Sequence, residues 1–387
     1  MTVGKIDGTC DSGFRRVRDA FAENFEQRGE VGAAVAITID GRPVVDLWGG
    51  ALDAKRTRPW TRDTLVNVYS TTKGLTAMCA HRLVDQGKLD LEAPVSRYWP
   101  EFAQAGKDRL PVRYLLSHQA GLPAVRRPLP PEALFDWDSM CGALAEQEPW
   151  WAPGTKHGYH AMTFGFLVGE VIRRITGLRP RDYVRAQLAE PLGIDFQIGL
   201  AESDDHRVAE MIAAPPPPPN AVNLFAEAMN NPESVTAKTI ANPPTISAPG
   251  VANSLEWRRA ELPAANGHAT ARALARIYGA LSRGGEIDGV RVLTPESIAR
   301  CYDEQARGRD EVLLMPTRFS LGFMLSQPEA SLGPGLKSFG HPGAGGSLGF
   351  ADPQAKVGFG YTMNQMGPTI LIDPRATALI DAVYASL

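Results

Sequence analysis

The spacing of apolar residues changes from a helical to a strand-like period within the first fifty residues. Between residues 14 and 27 the apolar positions recur every three or four residues, which predicts an amphipathic helix, and they comprise Val17, Ala20, Phe21 and Phe25. Two runs of strand-forming residues follow, at 33–39 and 43–48. They flank Asp40-Gly41, a dipeptide that favours a tight turn, so the pattern predicts a β-hairpin.

Three more helices and three more strands are predicted further along the chain. Helical spacing returns in three segments, at residues 70–85, 164–175 and 270–283. A glycine follows each of them, as is common at helix ends. Strand-like patterns occur in three later runs, at residues 319–325, 346–351 and 357–363. Asp373-Pro374 then suits the first turn of a final helix.

The middle of the chain is rich in prolines and short helical patterns. Five consecutive prolines, residues 215–219, predict a stiff extended run, and the weakly patterned stretch up to residue 263 predicts a long surface loop or lid. Strands therefore cluster at both ends of the chain. This order predicts an α+β fold in which one antiparallel sheet is flanked by terminal helices. Residues 1–75 and 270–387 are expected to form the sheet domain, and residues 76–269 a mostly helical inserted domain with lid-like loops.

Composition narrows the class of protein. The 387 residues are 44% apolar and 21% charged, which is typical of a globular chain. Forty Lys and Arg against 43 Asp and Glu give a net charge of −3, which argues against nucleic acid and anionic membranes as partners. No apolar stretch reaches the roughly 18 residues that a membrane span needs. The first twelve residues lack the apolar segment of a secretory signal.

The cysteines are widely separated and include no C-x-x-C pair; they are Cys10, Cys79, Cys141 and Cys301. This spacing argues against a disulfide framework and a zinc site, and it favours reduced thiols in the cytoplasm. The sequence predicts neither a metal nor another cofactor, and it leaves the oligomeric state open.

The first candidate for chemistry is Ser70-Thr71-Thr72-Lys73, at the start of a predicted helix. Side chains three residues apart share a helix face, so Ser70 and Lys73 can meet. A lysine whose pKa is lowered by burial can take the proton of a serine hydroxyl and make it a nucleophile. An N-cap serine with a solvated lysine is the alternative, because S-x-x-K also occurs by chance.

Two later segments are further candidates. Tyr159 follows a loop and precedes a predicted helix, and a tyrosine near cationic groups can hold a depressed pKa and relay protons. A packed aromatic ring is the alternative. Residues 340–347 read Gly-His-Pro-Gly-Ala-Gly-Gly-Ser. Such glycines let a strand edge approach a ligand closely, and one of its N–H groups could join that of Ser70 in an oxyanion hole; a glycine-rich hairpin is the alternative.

Taken in chain order, three motifs resemble those of the serine β-lactamase and penicillin-binding-protein superfamily, namely Ser70-x-x-Lys73, Tyr159 and His341-x-Gly343. The segment at residues 112–123, VRYLLSHQAGLP, is also similar to that superfamily. The resemblance covers roughly residues 31–363, and it is strongest to the family VIII carboxylesterases, the esterase branch that resembles class C β-lactamases. It implies the β-lactamase-like version of the predicted fold.

The resemblance also implies a role for each residue. Ser70 is the implied acylated nucleophile and Lys73 its base, while Tyr159 assists proton transfer and activates the deacylating water. The N–H groups of Ser70 and Ala344 are the implied oxyanion hole. The implied substrate-binding residues are His341, Gly343 and Gly345.

Two positions depart from the superfamily pattern. His341 stands where a lysine is usual, and Ala161 stands where many relatives carry asparagine. A histidine is largely neutral at pH 7, since its ordinary pKa is about 6.5, so it anchors an anion weakly. Both changes favour a neutral ester over a β-lactam or a peptide.

Residues 345–349, Gly-Gly-Ser-Leu-Gly, also match the G-x-S-x-G motif of α/β-hydrolases. That motif needs a helix after the serine, whereas Phe350-Ala351-Asp352-Pro353 predicts a strand and a turn. Ser347 is therefore not expected to be the nucleophile.

The sequence thus predicts a serine carboxylesterase that hydrolyses small carboxylic esters through a Ser70–Lys73–Tyr159 acyl-enzyme mechanism. A β-lactamase, a D-Ala-peptidase or an acyltransferase that uses the same site is an alternative, and so is a silent binding protein of the same fold. The predicted partner is a small-molecule ester.

Overall fold

Most strands come from the two ends of the chain. The computed structural model describes residues 5–219 and 221–387. Within those residues the strands are, in chain order, β1 (Ile6–Cys10), β2 (Gly32–Ile39), β3 (Arg42–Gly50), β4 (Val66–Asn67), β5 (Phe196–Ile198), β6 (Gly267–Ala269), β7 (Glu286–Ile287), β8 (Val290–Arg291), β9 (Ala306–Arg309), β10 (Pro316–Phe319), β11 (Met324–Leu325), β12 (Phe339–Pro342), β13 (Leu348–Asp352) and β14 (Val357–Met363). Nine of them form one antiparallel sheet in the order β1-β3-β2-β14-β13-β12-β11-β10-β9. A small sheet has the order β4-β6-β5, and β7 pairs with β8.

The centre of the large sheet joins the two ends of the chain. β2 pairs with β14 along its whole length, with Val357 opposite Ile39. β2 and β3 form the predicted hairpin, and the turn residues Asp40 and Gly41 both have positive φ angles, 49° and 77°, as the tight turns of hairpins require. The predicted sheet built from both termini is therefore confirmed.

The helices lie on this sheet or fill the middle of the chain. In the described residues they are α1 (Arg15–Gln27), α2 (Thr72–Asp85), α3 (Arg113–Leu116), α4 (Trp137–Glu146), α5 (Thr163–Thr176), α6 (Pro180–Val184), α7 (Glu190–Leu192), α8 (Leu224–Asn230), α9 (Val235–Ala241), α10 (Leu255–Arg259), α11 (Ala271–Ser282), α12 (Pro295–Cys301) and α13 (Pro374–Tyr384). α11 lies across β2, β13 and β14, and the terminal helices α1 and α13 pack against each other. None of these helices combines the length and the apolar character that a bilayer crossing demands.

Tyr278 of α11 fixes the position of α2, and two glycines make room for it. A Cβ atom at Gly74 would lie 2.2 Å from Tyr278 Oη, and one at Gly349 would lie 2.4 Å from Tyr278 Cε2. Both distances are far below van der Waals contact, so these positions require glycine for the close approach. The Tyr278 ring therefore lies between the first turn of α2 and strand β13 and keeps the two apart.

Several predicted elements are confirmed to within two residues at each end, namely the helices α1, α2, α5 and α11 and the strand β14, and α13 begins at Pro374 as predicted. The prediction of one strand at residues 319–325 is wrong, because Gly322 turns the chain (φ 93°) and separates β10 from β11. The stretch up to residue 263 is also more than a loop, since it holds α8, α9 and α10. β1 lies in the N-terminal segment for which no strand was expected; residues 1–4 of that segment and Asn220 lie outside the described residues.

The predicted domain boundary between residues 75 and 76 falls inside α2. One hydrophobic core also spans both segments, since Leu75 and Leu144 belong to the same buried cluster as Phe21 and Phe359. The division into two domains stays a prediction, and a boundary that respects α2 would have to lie outside residues 72–85.

Candidate active site

Ser70 lies on a tight turn immediately before α2. Val68 O accepts the N–H of Thr71 at 3.1 Å across this turn. Tyr69 has a positive φ of 42°, a conformation that is rare for residues other than glycine and costs on the order of 1–3 kcal/mol. The turn brings Ser70 to the wall of a large cavity.

The Lys73 amine has three partners and no access to water. Its Nζ atom lies 3.1 Å from Ser70 Oγ, 2.7 Å from Ala161 O and 3.0 Å from Ala264 O. The side chain is fully buried, and burial lowers the pKa of Lys73 well below its ordinary value of 10.5. The structure therefore brings Ser70 and Lys73 together as their spacing predicts.

Tyr159 lies beside this pair. The Lys73 Nζ atom is 4.7 Å from the centre of the Tyr159 ring, and Tyr159 lines the same cavity as Ser70. Burial raises the pKa of the phenol above its ordinary value of 10; hydrogen bonding with Ser70 lowers it in part, and the nearby Asp310 raises it again. The depressed tyrosine pKa suggested by the sequence is therefore wrong in direction, because loss of water outweighs any stabilisation of the phenolate.

The loop that carries Tyr159 is held by two groups for which the sequence predicts no catalytic role. Asp310 Oδ1 accepts the N–H of Tyr159 at 3.0 Å. The His118 ring packs 5.0 Å from the Tyr159 ring, and His118 Nδ1 accepts the N–H of His160 at 3.1 Å. Asp310 belongs to none of the motifs, and its long-range contact left no signal in the sequence. His118 lies in the segment at 112–123, which the resemblance includes.

His341 reaches the cavity as a neutral ring. Its Nδ1 atom lies 2.7 Å from Pro342 O, and because a carbonyl can only accept, Nδ1 must carry the proton. Burial, aided by Lys73, lowers the pKa of His341 to about 3. Nε2 is buried and has no partner among the described residues, so the neutral ring holds an unpaired acceptor and carries no charge.

The glycine-rich segment forms a tight turn between β12 and β13. The N–H of Gly343 donates to Ser347 O at 2.7 Å, and the N–H of Gly346 donates to Gly343 O at 3.0 Å. Ala344 and Gly345 line the cavity together with Ser70. Gly343, in contrast, is not among the described lining residues, because its α-carbon faces Ser347: a Cβ there would lie 2.1 Å from Ser347 Oγ. The substrate contact expected for Gly343 stays a prediction.

The cavity has a volume of about 590 Å³ and an apolar wall. Its described lining includes no Asp, Glu, Lys or Arg side chain. The region predicted to be a lid supplies part of the wall, through the proline run and the segment that follows it; these residues include Pro216, Leu224, Phe225 and Ile240. The loop after β14 supplies another part, with Met366, Ile370 and Leu371.

In the two described ranges, no group of three or more His, Cys, Asp or Glu side chains is arranged to hold a metal ion. The four histidines near Tyr159 have other partners: His118, His160 and His341 bond to backbone groups, and His157 bonds to the Thr317 hydroxyl.

Several known proteins are similar to this chain in both sequence and architecture. Residues 17–382 match the family model Beta-lactamase. Esterase/beta-lactamase LipL of Mycobacterium tuberculosis (strain ATCC 25618 / H37Rv) is 41% identical over 374 residues, which cover 95% of this chain and 85% of the relative. A solved family VIII carboxylesterase superimposes with a TM-score of 0.91 at 44% identity, covering 99% of this chain and 100% of that one.

A penicillin-binding protein homologue from Caulobacter crescentus superimposes with a TM-score of 0.90 at 42% identity, again covering 99% of this chain and 100% of the other. These matches confirm the resemblance on which the three motifs were interpreted. The chain belongs to the beta-lactamase family.

Proposed function

We propose that this protein is a serine carboxylesterase, which hydrolyses small carboxylic esters through an acyl intermediate on Ser70. The observation that carries the proposal is the set of partners around the buried Lys73 amine. Two similar proteins, an esterase/beta-lactamase and a family VIII carboxylesterase, support the proposal of ester hydrolysis.

Burial lowers the pKa of Lys73 and so favours its neutral amine, whose hydrogen-bond inventory then suits a base. A neutral amine has two N–H donors and one lone pair. The carbonyls of Ala161 and Ala264 can only accept, so they take the two N–H groups. The lone pair is left facing Ser70 Oγ at 3.1 Å. Ser70 then donates its proton to Nζ, as activation of a serine nucleophile requires.

The remaining groups fit the other steps of ester hydrolysis. As Ser70 Oγ attacks the ester carbon, its proton passes to Lys73, and the N–H groups of Ser70 and Ala344 stabilise the oxyanion. Tyr159 keeps its proton at neutral pH because its pKa is raised, so it relays a proton from Lys73 to the departing alcohol. Water then attacks the acyl group. Because Tyr159 stays protonated, Lys73 rather than Tyr159 accepts the water proton, and it returns this proton to Ser70 Oγ as the acid leaves.

The lining of the cavity indicates the substrate class. An apolar wall without charged side chains suits a neutral ester with apolar substituents. His341 is neutral and its Nδ1 proton is taken by Pro342 O, so it offers a carboxylate neither a charge nor a free donor. A substrate anion entering this cavity would lose its hydration without gaining a cation, which is costly.

Activity is expected to fall in acid. Below its lowered pKa, Lys73 becomes protonated and has no lone pair for Ser70, so kcat/KM declines as the pH falls. His341 and His160, whose pKa values are lowered to about 3, and His118, whose pKa is also lowered by burial, stay neutral over most of this range. We expect Tyr159→Phe to be slower than the wild type but to show the same acid limb.

The pH profile also tests the lowered pKa of Lys73. A profile that stays flat down to low pH would contradict the role of Lys73. Activity that appears only near pH 10, where an ordinary lysine ionises, would contradict the lowered pKa.

Charge on the substrate is expected to lower activity. A p-nitrophenyl ester whose acyl chain ends in a carboxylate should have a kcat/KM about 100-fold below that of p-nitrophenyl butyrate, because the cavity supplies no cation. Steady-state release of p-nitrophenol measures both. Equal values for the two esters would show that the apolar lining does not select the substrate.

The proposed activity is tested by comparing p-nitrophenyl butyrate with a chromogenic cephalosporin on one preparation. We expect kcat/KM for the ester to exceed that for the cephalosporin by at least about 100-fold, since the cephalosporin carries a carboxylate. A cephalosporin turned over faster than the ester would identify a β-lactamase. Absence of turnover with both, in folded protein, would favour the silent binding protein.

A further inference from the structure

We propose that Ser347 is a positioning residue that sets the spacing between the two N–H donors of the oxyanion hole. This inference rests on the proposed function, in which the donors belong to Ser70 and Ala344. Ser347 is the serine of the G-x-S-x-G match, and only 1% of its surface is exposed. It is therefore placed as a structural link and not as a nucleophile open to substrate.

The Ser347 hydroxyl is bound to the turn that carries Ser70. Ser347 Oγ lies 2.8 Å from Val68 O and 3.1 Å from Thr71 Oγ1. A backbone carbonyl can only accept, so the single Ser347 proton goes to Val68 O. Thr71 must then donate its proton to Ser347 Oγ. These two bonds join Ser347 to the residues on both sides of the Tyr69–Ser70 pair.

The backbone of Ser347 is bound to the turn that carries Ala344. Its carbonyl accepts the N–H of Gly343 at 2.7 Å, one residue before Ala344. Gly343 also allows the two turns to approach, since a Cβ atom there would lie 2.1 Å from Ser347 Oγ and 2.2 Å from Val68 O. One residue is thus hydrogen-bonded to neighbours of both proposed donors.

This link matters because the stabilising effect of an oxyanion hole depends on the distance from each N–H donor to the oxyanion. Each donor must lie roughly 2.7–3.1 Å from the position that the oxyanion takes up. A displacement of about 1 Å can cost on the order of 100-fold in rate. The oxyanion forms only during reaction, so loss of spacing lowers kcat and leaves substrate binding nearly unchanged.

Ser347→Ala tests the link by removing the hydroxyl. We expect kcat for p-nitrophenyl butyrate to fall about 10- to 100-fold while KM changes less than about twofold. A serine-reactive phosphonate should still label Ser70, but more slowly by a similar factor, because its tetrahedral adduct uses the same N–H groups. The matched control is Thr362→Val in β14, where the buried hydroxyl has no partner among the described residues; its kcat should equal that of the wild type.

Thr71→Val reaches the same link from the other side. It removes the hydroxyl that donates to Ser347 but leaves the bond from Ser347 to Val68 O, so a smaller fall in kcat is expected. Because both changes act on one network, the double variant should be little slower than Ser347→Ala alone. If kcat of the double variant fell by the product of the two single fold-changes, a shared network would be contradicted. Thermal unfolding of each variant identifies any change that merely destabilises the fold.

The outcomes separate this inference from the proposed function. Folded Ser347→Ala with wild-type kcat and wild-type labelling of Ser70, or with only a raised KM, would overturn the positioning role and leave Ser70 as the nucleophile. A phosphonate that attaches to Ser347 in the wild type would overturn both. A wild-type protein that takes no label at Ser70 would likewise overturn both.

Discussion

Ser70→Ala is expected to lower kcat for p-nitrophenyl butyrate by at least about 10⁴-fold, since removal of the catalytic serine from a serine hydrolase can cost about 10⁶-fold. The Ser70 oxygen forms the covalent bond to the acyl group in the proposed mechanism, so no other group near Lys73 replaces it. The fold should remain, because the change removes one oxygen at the wall of an open cavity. Single-turnover kinetics and thermal unfolding measure the two effects.

The matched comparison is Ser347→Ala, which removes the same atom from a serine in the competing motif. We expect a loss of no more than about 100-fold for that variant, as a displaced donor predicts. If Ser347→Ala were the inactive variant and Ser70→Ala the active one, the nucleophile assignment would be reversed.

Lys73→Met is expected to lower kcat by about 10³-fold, within the 10²- to 10⁴-fold range of general acid–base catalysis. Methionine fills a similar volume but has no lone pair that can take the Ser70 proton. The variant also leaves the carbonyls of Ala161 and Ala264 without their donor, so some loss of stability is expected as well. Acylation measured with a fast-leaving ester isolates the step that the lysine serves.

Lys107→Met is the control for this loss of stability. Lys107 is also fully buried, and its Nζ atom donates to three backbone carbonyls, those of Gln104, Ala145 and Gln147 at 3.0, 2.9 and 2.6 Å. Its replacement removes similar hydrogen bonds without touching Ser70. We expect a lower melting temperature and an unchanged kcat. Near-normal turnover in folded Lys73→Met would remove the lysine from the mechanism.

The local part of the site was predictable from sequence because it depends on helix geometry. Ser70 and Lys73 are three residues apart at the start of α2, so their contact follows from the helix alone. The contact with Tyr159 links distant segments, and only the resemblance to a known family indicated it. The raised pKa of Tyr159 depends on side chains from several segments that together exclude water from the phenol. A local residue pattern does not reveal which distant segments meet there.

The helices of the lid region show a signal that the sequence did contain. α8, α9 and α10 each begin with a side chain that accepts a backbone N–H, those of Asn223, Ser234 and Ser254, as helix N-caps do. Each helix is no longer than seven residues, which is too short for a hydrophobic period to be visible. The capping residues were the better indication of these elements.

The role of Gly343 shows a different limit. The glycine-rich pattern correctly predicted a close approach, but it could not say what approaches. The structure places the Ser347 hydroxyl and Val68 O against Gly343, where the sequence suggested a substrate. A close contact between two backbone turns and one between a turn and a ligand impose the same need for glycine.

The most direct test of the account is to trap the acyl intermediate. The wild-type protein is mixed with an ester whose acyl-enzyme hydrolyses slowly, and intact-mass spectrometry is followed by peptide mapping. We expect a mass increase equal to one acyl group on the peptide that contains Ser70, formed at least as fast as turnover and absent from Ser70→Ala. An adduct on the Ser347 peptide, or rapid ester hydrolysis that passes through no covalent adduct, would contradict the mechanism.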